Sequence, residues 1–407
     1  MHQSVTNRHV TYIKKEANTS TKGLFIIGLI LLCLMSMDFF SLFFYIVFAL
    51  FCFILCCMFR GFEIPQITMP VAILSVSMCL FSPTTRGGGM AMIRPFAYPA
   101  CIIIGYNLIR TESVEKAGKR VKWLIVALST GAYCHYIFNM LYNWGKDLNR
   151  NTFDYWTKTI LSATGQSTLA CLMIGLSVCV IFTKSRLIYK VLSTGVIVSI
   201  LYYNLVLGGR TIFILVIILF VLNIILEFGI RKTVSARIVL LFSVVFFAMI
   251  GLLFVRNNIF GVVDTFNKSN FYKRFYLGYG GLEITEDSRF NFKIMYLMNM
   301  FNYPFGGNEL YRAVGNHYAH DLLLDTYSDS SIFAFSAILV LIICLFVSFR
   351  RIMRVRAIDV DTRRIIVCSL VTFFVIFTVE PILRGMPWLF ASFCVLCGAI
   401  KKIEDYL

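Results

Sequence analysis

The sequence predicts an all-α polytopic membrane protein, because apolar residues dominate it, charged residues are scarce, and the apolar residues gather into helix-length runs. Hydrophobic residues make up 58% of the 407 residues and charged residues 14%, and the mean hydropathy is +0.78. A soluble domain carries roughly 25% charged residues. Most of this chain therefore needs a lipid environment, and we expect a single integral membrane domain over residues 1–407.

Twelve apolar runs are candidates for transmembrane helices, since a spanning helix needs about 20 mainly apolar residues and shorter or tilted segments are tolerated. The connections that we place outside are short except for residues 256–330. We expect this large external loop to carry part of the functional site. The predicted spans are 23–38, 39–59, 69–82, 95–109, 123–142, 160–182, 191–207, 211–229, 238–255, 331–349, 365–380 and 386–400.

The orientation follows from lysine and arginine, which accumulate in cytoplasmic loops. With the N-terminus inside, the internal segments hold 24 of the 38 basic residues. The strongest single indication is the short segment 350–364, which contains six arginines. We therefore predict that both termini are cytoplasmic and that residues 256–330 lie on the other side of the membrane.

Charge and cysteine content exclude several other classes of protein. The net charge of +17 is spread between the apolar runs rather than gathered in one basic domain, so we expect no nucleic-acid partner. The 13 cysteines lie in apolar runs, where cysteine behaves as a small hydrophobic residue. Cys394 and Cys397 form a CxxC inside a predicted helix with no second ligand pair nearby, and we expect no metal and no cofactor.

Four arginines lie at predicted external helix ends. Arg86 adjoins three glycines, Arg210 follows two, Arg289 begins an amphipathic helix predicted over 289–301, and Arg384 lies between the last two spans. The ordinary role of such arginines is to reach the lipid headgroups. A guanidinium group also matches two phosphate oxygens at once, so these side chains are candidates for holding a diphosphate. The early outer loops lack an acidic pair for a divalent metal, which favours metal-independent chemistry.

His320 is the candidate general base. A second loop helix is predicted over 317–328, and helical spacing would place His317, His320 and Asp321 on one side of it. A neutral imidazole can take a proton from a sugar hydroxyl near neutral pH. The structural alternative is an interfacial histidine that hydrogen-bonds a backbone carbonyl, and the residues alone do not decide between the two roles.

Two further ionisable residues accompany this set. Glu380, next to Pro381, is a candidate for binding an acceptor or for pairing with Arg384. His135 lies in the middle of an apolar span, and we interpret it as a buried structural residue.

Three short segments resemble the O-antigen ligase and O-antigen polymerase superfamily. Asn316-His-Tyr-Ala-His-Asp-Leu-Leu-Leu-Asp-Thr-Tyr327 is similar to the family's His-Asn-x-x-Leu segment at the end of its largest external loop. Ser288-Arg-Phe-Asn-Phe-Lys-Ile-Met followed by Tyr303-Pro-Phe-Gly-Gly307 resembles its arginine-led helix and Pro–Gly turn. Leu207-Gly-Gly-Arg-Thr211 resembles its arginine at the head of a span.

The resemblance implies a glycosyltransferase of the GT-C type that works without metal and with inversion. By position, the family's catalytic histidine corresponds to His320 and its diphosphate-binding arginines to Arg210 and Arg289, with help expected from Arg86 or Arg384. The implied substrate is an undecaprenyl-diphosphate-linked oligosaccharide, with membrane lipids and a chain-length regulator protein as further partners. The implied location is the bacterial cytoplasmic (inner) membrane, with the active face periplasmic or extracellular.

The function expected from this resemblance is a polysaccharide polymerase for O-antigen or a capsule-type glycan, one step of lipopolysaccharide or polysaccharide biosynthesis. One alternative is an O-antigen ligase that transfers the glycan to lipid A core. Asp321 in place of the family's common asparagine, and Ser328-Asp-Ser-Ser331 in place of its glycine pair, weaken the ligase interpretation more. The other alternative is a lipid-linked oligosaccharide flippase or transporter. The absence of a visible internal repeat and the scarcity of ionisable residues along the spans disfavour it.

Overall fold

A computed structural model describes residues 22–58, 61–82, 92–146, 150–230, 262–270, 272, 288–355 and 357–407. Most of these residues are helical, and a two-stranded antiparallel sheet accompanies the helices. The helices are α1 (Lys22–Ser36), α2 (Phe43–Cys57), α3 (Thr68–Phe81), α4 (Ala97–Leu108), α5 (Val114–Tyr142), α6 (Ala163–Phe182), α7 (Leu187–Leu207), α8 (Thr211–Ile230), α9 (Val262–Lys268), α10 (Ser288–Met298), α11 (Gly307–Ala313), α12 (Leu322–Ser330), α13 (Ile332–Met353), α14 (Val360–Phe377), α15 (Ile382–Gly385) and α16 (Pro387–Glu404). The strands are β1 (Asn151–Phe153) and β2 (Ile160–Ser162).

The predicted apolar spans coincide with helices throughout the described part of the chain, while the span predicted at 238–255 lies outside it. Four helices, α5, α6, α7 and α13, are long and apolar enough to cross a membrane. The apolar helices α1, α2, α3 and α8 are shorter. The described part of the chain is therefore mainly helical, as predicted, with four helices that could span a membrane by length and composition, and the number of twelve spans stays a prediction.

Several helix starts differ from the predicted ones by a few residues, and local contacts explain two of the differences. Helix α5 begins at Val114 rather than at residue 123, because ion pairs one turn apart, Lys116 to Glu112 (2.8 Å) and Lys119 to Glu115 (2.7 Å), support helix in this polar segment. Helix α6 begins at Ala163 rather than at residue 160. The preceding residues pair with β1 as strand β2, in the register Asn151 to Ser162, so the predicted span began three residues too early.

The chain divides into two compact units, each made of segments from different parts of the sequence. The first unit comprises residues 1–131, 329–359 and 388–407. Within it, α3 packs against α13 and α4, and α2 against α4. Helices α4 and α16 approach backbone to backbone: a Cβ at Gly105 would meet the carbonyl of Val395, and a Cβ at Gly398 that of Ile102. Small residues at such crossings are typical of membrane helix pairs.

The second unit comprises residues 132–328 and 360–387 and contains all the predicted site residues except Arg86. Helix α6 lies at its centre and packs against α7, α8 and α14. Buried polar side chains link these helices: the Ser167 hydroxyl donates to Asn204 Oδ1 (2.5 Å), and Asn204 Nδ2 donates to the Tyr136 hydroxyl (3.2 Å). Interhelical hydrogen bonds of this kind hold membrane helices in register.

Candidate functional site

The segment 315–321, called the histidine loop here, is not helical, which corrects the prediction of a helix over 317–328. Helix α12 begins only at Leu322, and His320 has a left-handed backbone with a φ of 53°. The Asp321 carboxylate accepts the N–H groups of Leu323 (3.0 Å) and Leu324 (3.4 Å) and so caps the helix. His317, His320 and Asp321 therefore do not share a helix face, because Asp321 ends the loop rather than continuing a helix.

Asp325 fixes the backbone on both sides of His320. Its buried carboxylate accepts the N–H of Ala319 on Oδ1 and the N–H of Asp321 on Oδ2, both at 3.2 Å. A carboxylate that accepts backbone hydrogen bonds makes stronger contacts than a neutral acceptor. The left-handed conformation of His320 is therefore held from its two neighbours, and the imidazole is presented on a fixed backbone.

Helix α10 packs against the histidine loop along one face. The Phe292 ring stacks on the His317 ring with centroids 4.2 Å apart, and the Tyr296 hydroxyl donates to the His317 carbonyl at 2.6 Å. Lys293 Nζ lies 3.4 Å from Asp321 Oδ2 and donates to the Thr378 carbonyl at 2.6 Å. Lys293 therefore joins the histidine loop to the segment that follows α14.

Arg384 reaches the same loop through an aromatic ring. Its guanidinium carbon lies 4.6 Å from the ring centroid of Tyr318, within the range of a cation–π contact. The Tyr318 ring is nearly perpendicular to the His320 ring, with centroids 6.5 Å apart. The Tyr318 ring therefore contacts both the Arg384 guanidinium and the His320 ring. Glu380 is buried just after the end of α14, where its N–H donates to the Ile376 carbonyl.

The Pro–Gly turn between α10 and α11 rests on α12. The Tyr327 hydroxyl donates to the Tyr303 carbonyl at 2.8 Å, and burial raises the pKa of Tyr327 to about 12. Gly306 has a φ of 61°, and a Cβ there would collide with the carbonyl of Ser328 at 2.5 Å. Only glycine fits this close approach, so the turn fixes the end of α10 against the helix that follows His320.

The predicted arginines are distributed more widely than the histidines. Arg210 directly precedes the first residue of α8 and is partly exposed. Within the described part of the chain, its guanidinium has no hydrogen-bond or ion-pair partner. The contacts around it run to α6, α7 and Asn270 rather than to the histidine loop: a Cβ at Gly209 would meet Ser167 Oγ at 2.5 Å, and Asn270 Nδ2 donates to the Val206 carbonyl.

The other two arginines are described less fully. Arg289 is the second residue of α10, and the structure describes its backbone only. Its position is four residues before Lys293, on the helix face that meets the histidine loop. Arg86 lies outside the described residues.

Three residues of this region were not singled out from the sequence. Lys293, Tyr318 and Asp325 complete the cluster around His320, and the first two contact partners that are distant in the sequence. Asp325 lies only four residues after Asp321, but no local pattern marks it as the acceptor of backbone N–H groups on both sides of His320. Among the described residues, no three metal-ligating side chains come together.

A direct histidine–aspartate contact lies at the hairpin that joins α5 to α6. His135, buried as predicted, places Nε2 at 2.6 Å from Asp154 Oδ2, and Asp154 Oδ1 accepts the N–H groups of Trp156 (2.9 Å) and Thr157 (2.8 Å). Burial raises the pKa of the Asp154 carboxyl, but the hydrogen bond and charge of His135 and the hydrogen bonds of Thr157 lower it more. The pKa of Asp154 therefore lies well below its ordinary value, and the pair ties the hairpin to α5.

The arrangement around His320 can place a base, a cation and an aromatic ring next to one ligand. The sequence matches no protein-family model and no curated protein.

Proposed function

We propose that the chain is a polysaccharide polymerase that joins undecaprenyl-diphosphate-linked repeat units at the outer face of the cytoplasmic membrane. The observation that carries this proposal is the fixed presentation of His320. Buried Asp325 holds both its neighbours at 3.2 Å, and Tyr318 lies between its ring and the Arg384 guanidinium. Backbone strain of this kind persists where the surrounding structure holds it and is frequent at functional sites.

In the proposed reaction, His320 takes the proton from the acceptor hydroxyl of a new lipid-linked unit. The acceptor oxygen attacks the anomeric carbon of the growing chain as the bond from that carbon to the diphosphate oxygen breaks. The electron pair leaves with undecaprenyl diphosphate, the configuration inverts, and the proton remains on the imidazole. General-base catalysis of this kind contributes roughly 10²–10⁴ in rate.

The arginines stabilise the leaving diphosphate in this proposal, in place of a divalent metal. Arg384 adjoins the base, and the position of Arg289 lies one turn before Lys293 on the face of α10 that meets the histidine loop. Arg210 is partly exposed at the start of α8, and Arg86 belongs to the same proposed set. Guanidinium groups fit diphosphate oxygens in pairs and stabilise the charge that develops as the bond breaks.

The acceptor side of the site is assigned to the remaining polar residues. Asp321 and His317 contact α10 and line the histidine loop, and Glu380 lies four residues before Arg384.

A chain-length regulator protein is the expected partner. Twelve spans, a GT-C fold and an external histidine loop complete the proposal. A topology reporter fused after Asn270 tests the orientation, which is wrong if the reporter is cytoplasmic.

The decisive experiment is a polymerisation assay with purified protein and synthetic polyprenyl-diphosphate-linked repeat units from the source strain. The assay contains EDTA and no added metal. We expect wild type to form a ladder of longer glycans and His320→Ala to form none. His9→Ala, a histidine outside the proposed site, is the matched control and should keep the ladder.

Three outcomes distinguish the rival functions. A folded wild type that forms no ladder contradicts the polymerase. Transfer to lipid A core by the same preparation identifies the ligase instead. Translocation of a fluorescent lipid-linked oligosaccharide in proteoliposomes, unaffected by His320→Ala, identifies a flippase.

A further inference from the structure

A groove of about 480 Å³ lies at the C-terminal end of α13, in the first unit. Phe346, Val347, Arg350, Arg351 and Arg354 line it. Residues 346, 350 and 354 are spaced four apart and follow one stripe along the helix. The groove therefore has an apolar half nearer the middle of α13 and a cationic half at its end.

The cationic half contains one arginine that is paired with a carboxylate and two that are not. Arg351 forms an ion pair with Glu404, and the Glu404 carboxylate also accepts from the Ser348 hydroxyl (2.6 Å) and Lys401 (2.9 Å). Arg350 and Arg354 are exposed, and neither has an acidic partner among the residues that the structure describes. Like charges one turn apart repel, so this pair favours an anion between them.

The apolar half is suited to a hydrocarbon chain. Phe346 is 64% exposed and Val347 is 43% exposed on a helix that is long and apolar enough to span a membrane. The helical rise places Arg354 roughly 12 Å beyond Phe346 along the axis. This separation matches the distance from a phospholipid phosphate to the upper part of its acyl chains.

We propose that this groove is a binding site for an anionic phospholipid. The phosphate lies between Arg350 and Arg354, whose guanidinium forks match its oxygens, and an acyl chain lies along Phe346 and Val347. The arginine-rich segment 350–364 is also the strongest indication of the cytoplasmic side, so the lipid comes from the inner leaflet, where anionic headgroups are common. The site is independent of the proposed glycan chemistry.

The structural alternative is that these arginines only complement the helix dipole and set the topology. Neither role distinguishes one headgroup from another. Selectivity for an anionic over a zwitterionic phospholipid with the same acyl chains therefore separates the two explanations.

The experiment is native mass spectrometry of the full chain in detergent, titrated with phosphatidylglycerol, with phosphatidylcholine of the same chains, and with inorganic phosphate. We expect phosphatidylglycerol to be retained in preference to phosphatidylcholine. A double variant, Arg350→Gln with Arg354→Gln, should bind phosphatidylglycerol roughly 10- to 30-fold more weakly. The matched control, Lys184→Gln with Arg186→Gln, removes two exposed basic side chains from another predicted internal segment and should bind as wild type does.

Several results would overturn the proposal. Equal retention of the two phospholipids by wild type would contradict a specific site for anionic phospholipid. This comparison uses wild type only and so does not depend on the folding of any variant. Unchanged binding of phosphatidylglycerol by the Arg350/Arg354 variant would show that these two arginines do not bind the headgroup. Displacement of phosphatidylglycerol by millimolar inorganic phosphate makes the groove a free-anion site. A lipid-independent dimer that the variant abolishes assigns the groove to a second copy of the chain.

Discussion

Two regions of the second unit bring histidines close to aspartates, and they use them in opposite ways. At the hairpin, His135 is 4% exposed and contacts Asp154 directly at 2.6 Å. At the histidine loop, the carboxylates of Asp321 and Asp325 accept backbone N–H groups, while the His317 ring is exposed and stacked on an aromatic ring. Asp154 therefore contacts an imidazole directly, whereas Asp321 and Asp325 hold the backbone of the segment that carries His320.

The difference teaches how burial separates a structural histidine from a candidate catalytic one. A buried histidine–aspartate contact whose remaining carboxylate lone pairs are hydrogen-bonded stabilises one geometry and has no access to a ligand. Asp321 and Asp325 accept backbone N–H groups instead, so they position the segment that carries His320 rather than an imidazole. Stability should therefore respond to changes at the hairpin, and activity to changes at the histidine loop.

The largest expected effect is on activity. His320→Ala should lower the polymerisation rate by roughly 10²–10⁴, because it removes the proposed general base. Its thermal unfolding midpoint should stay close to that of wild type, since the backbone of the loop is held by Asp325. Both quantities are measured on the same detergent preparation, by glycan ladder and by intrinsic fluorescence. A variant that unfolds early while its folded fraction retains full rate would reverse the roles of the two regions.

The next largest effect is on stability. Asp154→Ala leaves His135 buried without its acceptor and removes the capping of the hairpin, and breaking a buried pair from one side costs about 3–5 kcal/mol. We expect a lower thermal unfolding midpoint, with the activity per folded molecule retained. Thr159→Ala, an exposed substitution in the same hairpin, is the control and should leave the midpoint nearly unchanged.

The sequence predicted the helices far better than the loop contacts. The apolar runs were recognisable because a membrane-spanning helix is defined by length and composition, which are local properties. Helix α10 also appeared close to its predicted place, 288–298 against 289–301. The helix over 317–328 was wrong because apolar spacing alone does not reveal a cap. Asp321, directly before three leucines, is the residue that indicated where the helix begins.

The contacts that build the candidate site could not be predicted in the same way. Lys293 joins Asp321 and the Thr378 carbonyl, and Arg384 lies over Tyr318, across separations of 28, 85 and 66 positions. No local pattern encodes such pairs, since packing of distant segments decides them. His135 and Asp154 are only 19 positions apart. The hairpin that carries Asp154 was nevertheless not predicted, because its two strands are only three residues long.

A third prediction concerns the support of His320. Asp325→Ala removes the acceptor for two backbone N–H groups, and hydrogen bonds to a charged group contribute about 1.5–3 kcal/mol each. We expect a loss of about 3–6 kcal/mol in the free energy of unfolding, together with a slower polymerisation rate because His320 is no longer held. Asp325→Asn keeps one acceptor oxygen and should recover part of both losses. Full activity in the alanine variant would show that the loop does not need this brace.

A fourth prediction tests the hairpin pair by pH. The pKa of the Asp154 carboxyl is lowered in the folded state, whereas an unfolded aspartate has a pKa of about 3.9. Its stabilisation is therefore complete above about pH 4 and is lost as the pH falls through the lower, folded-state pKa. The difference in unfolding midpoint between wild type and Asp154→Ala should shrink as the pH is lowered from 6 to 2. A constant difference over this range would mean that ionisation of Asp154 contributes nothing.

The smallest expected effect is at Arg384, where charge and shape can be separated. Arg384→Lys keeps the positive charge but loses the planar group over Tyr318, and a cation–π contact contributes about 0.5–1 kcal/mol at a partly exposed site. We expect a roughly 2- to 5-fold fall in kcat/KM for the lipid-linked donor, with contributions from both KM and kcat. Arg312→Lys, an exposed arginine at the end of α11, should change neither. In Tyr318→Ala, the difference between the arginine and lysine forms should become smaller, because the part that the ring contributes is gone while the contact with the diphosphate remains. An undiminished difference would show that the cation–π contact with Tyr318 contributes nothing to donor binding.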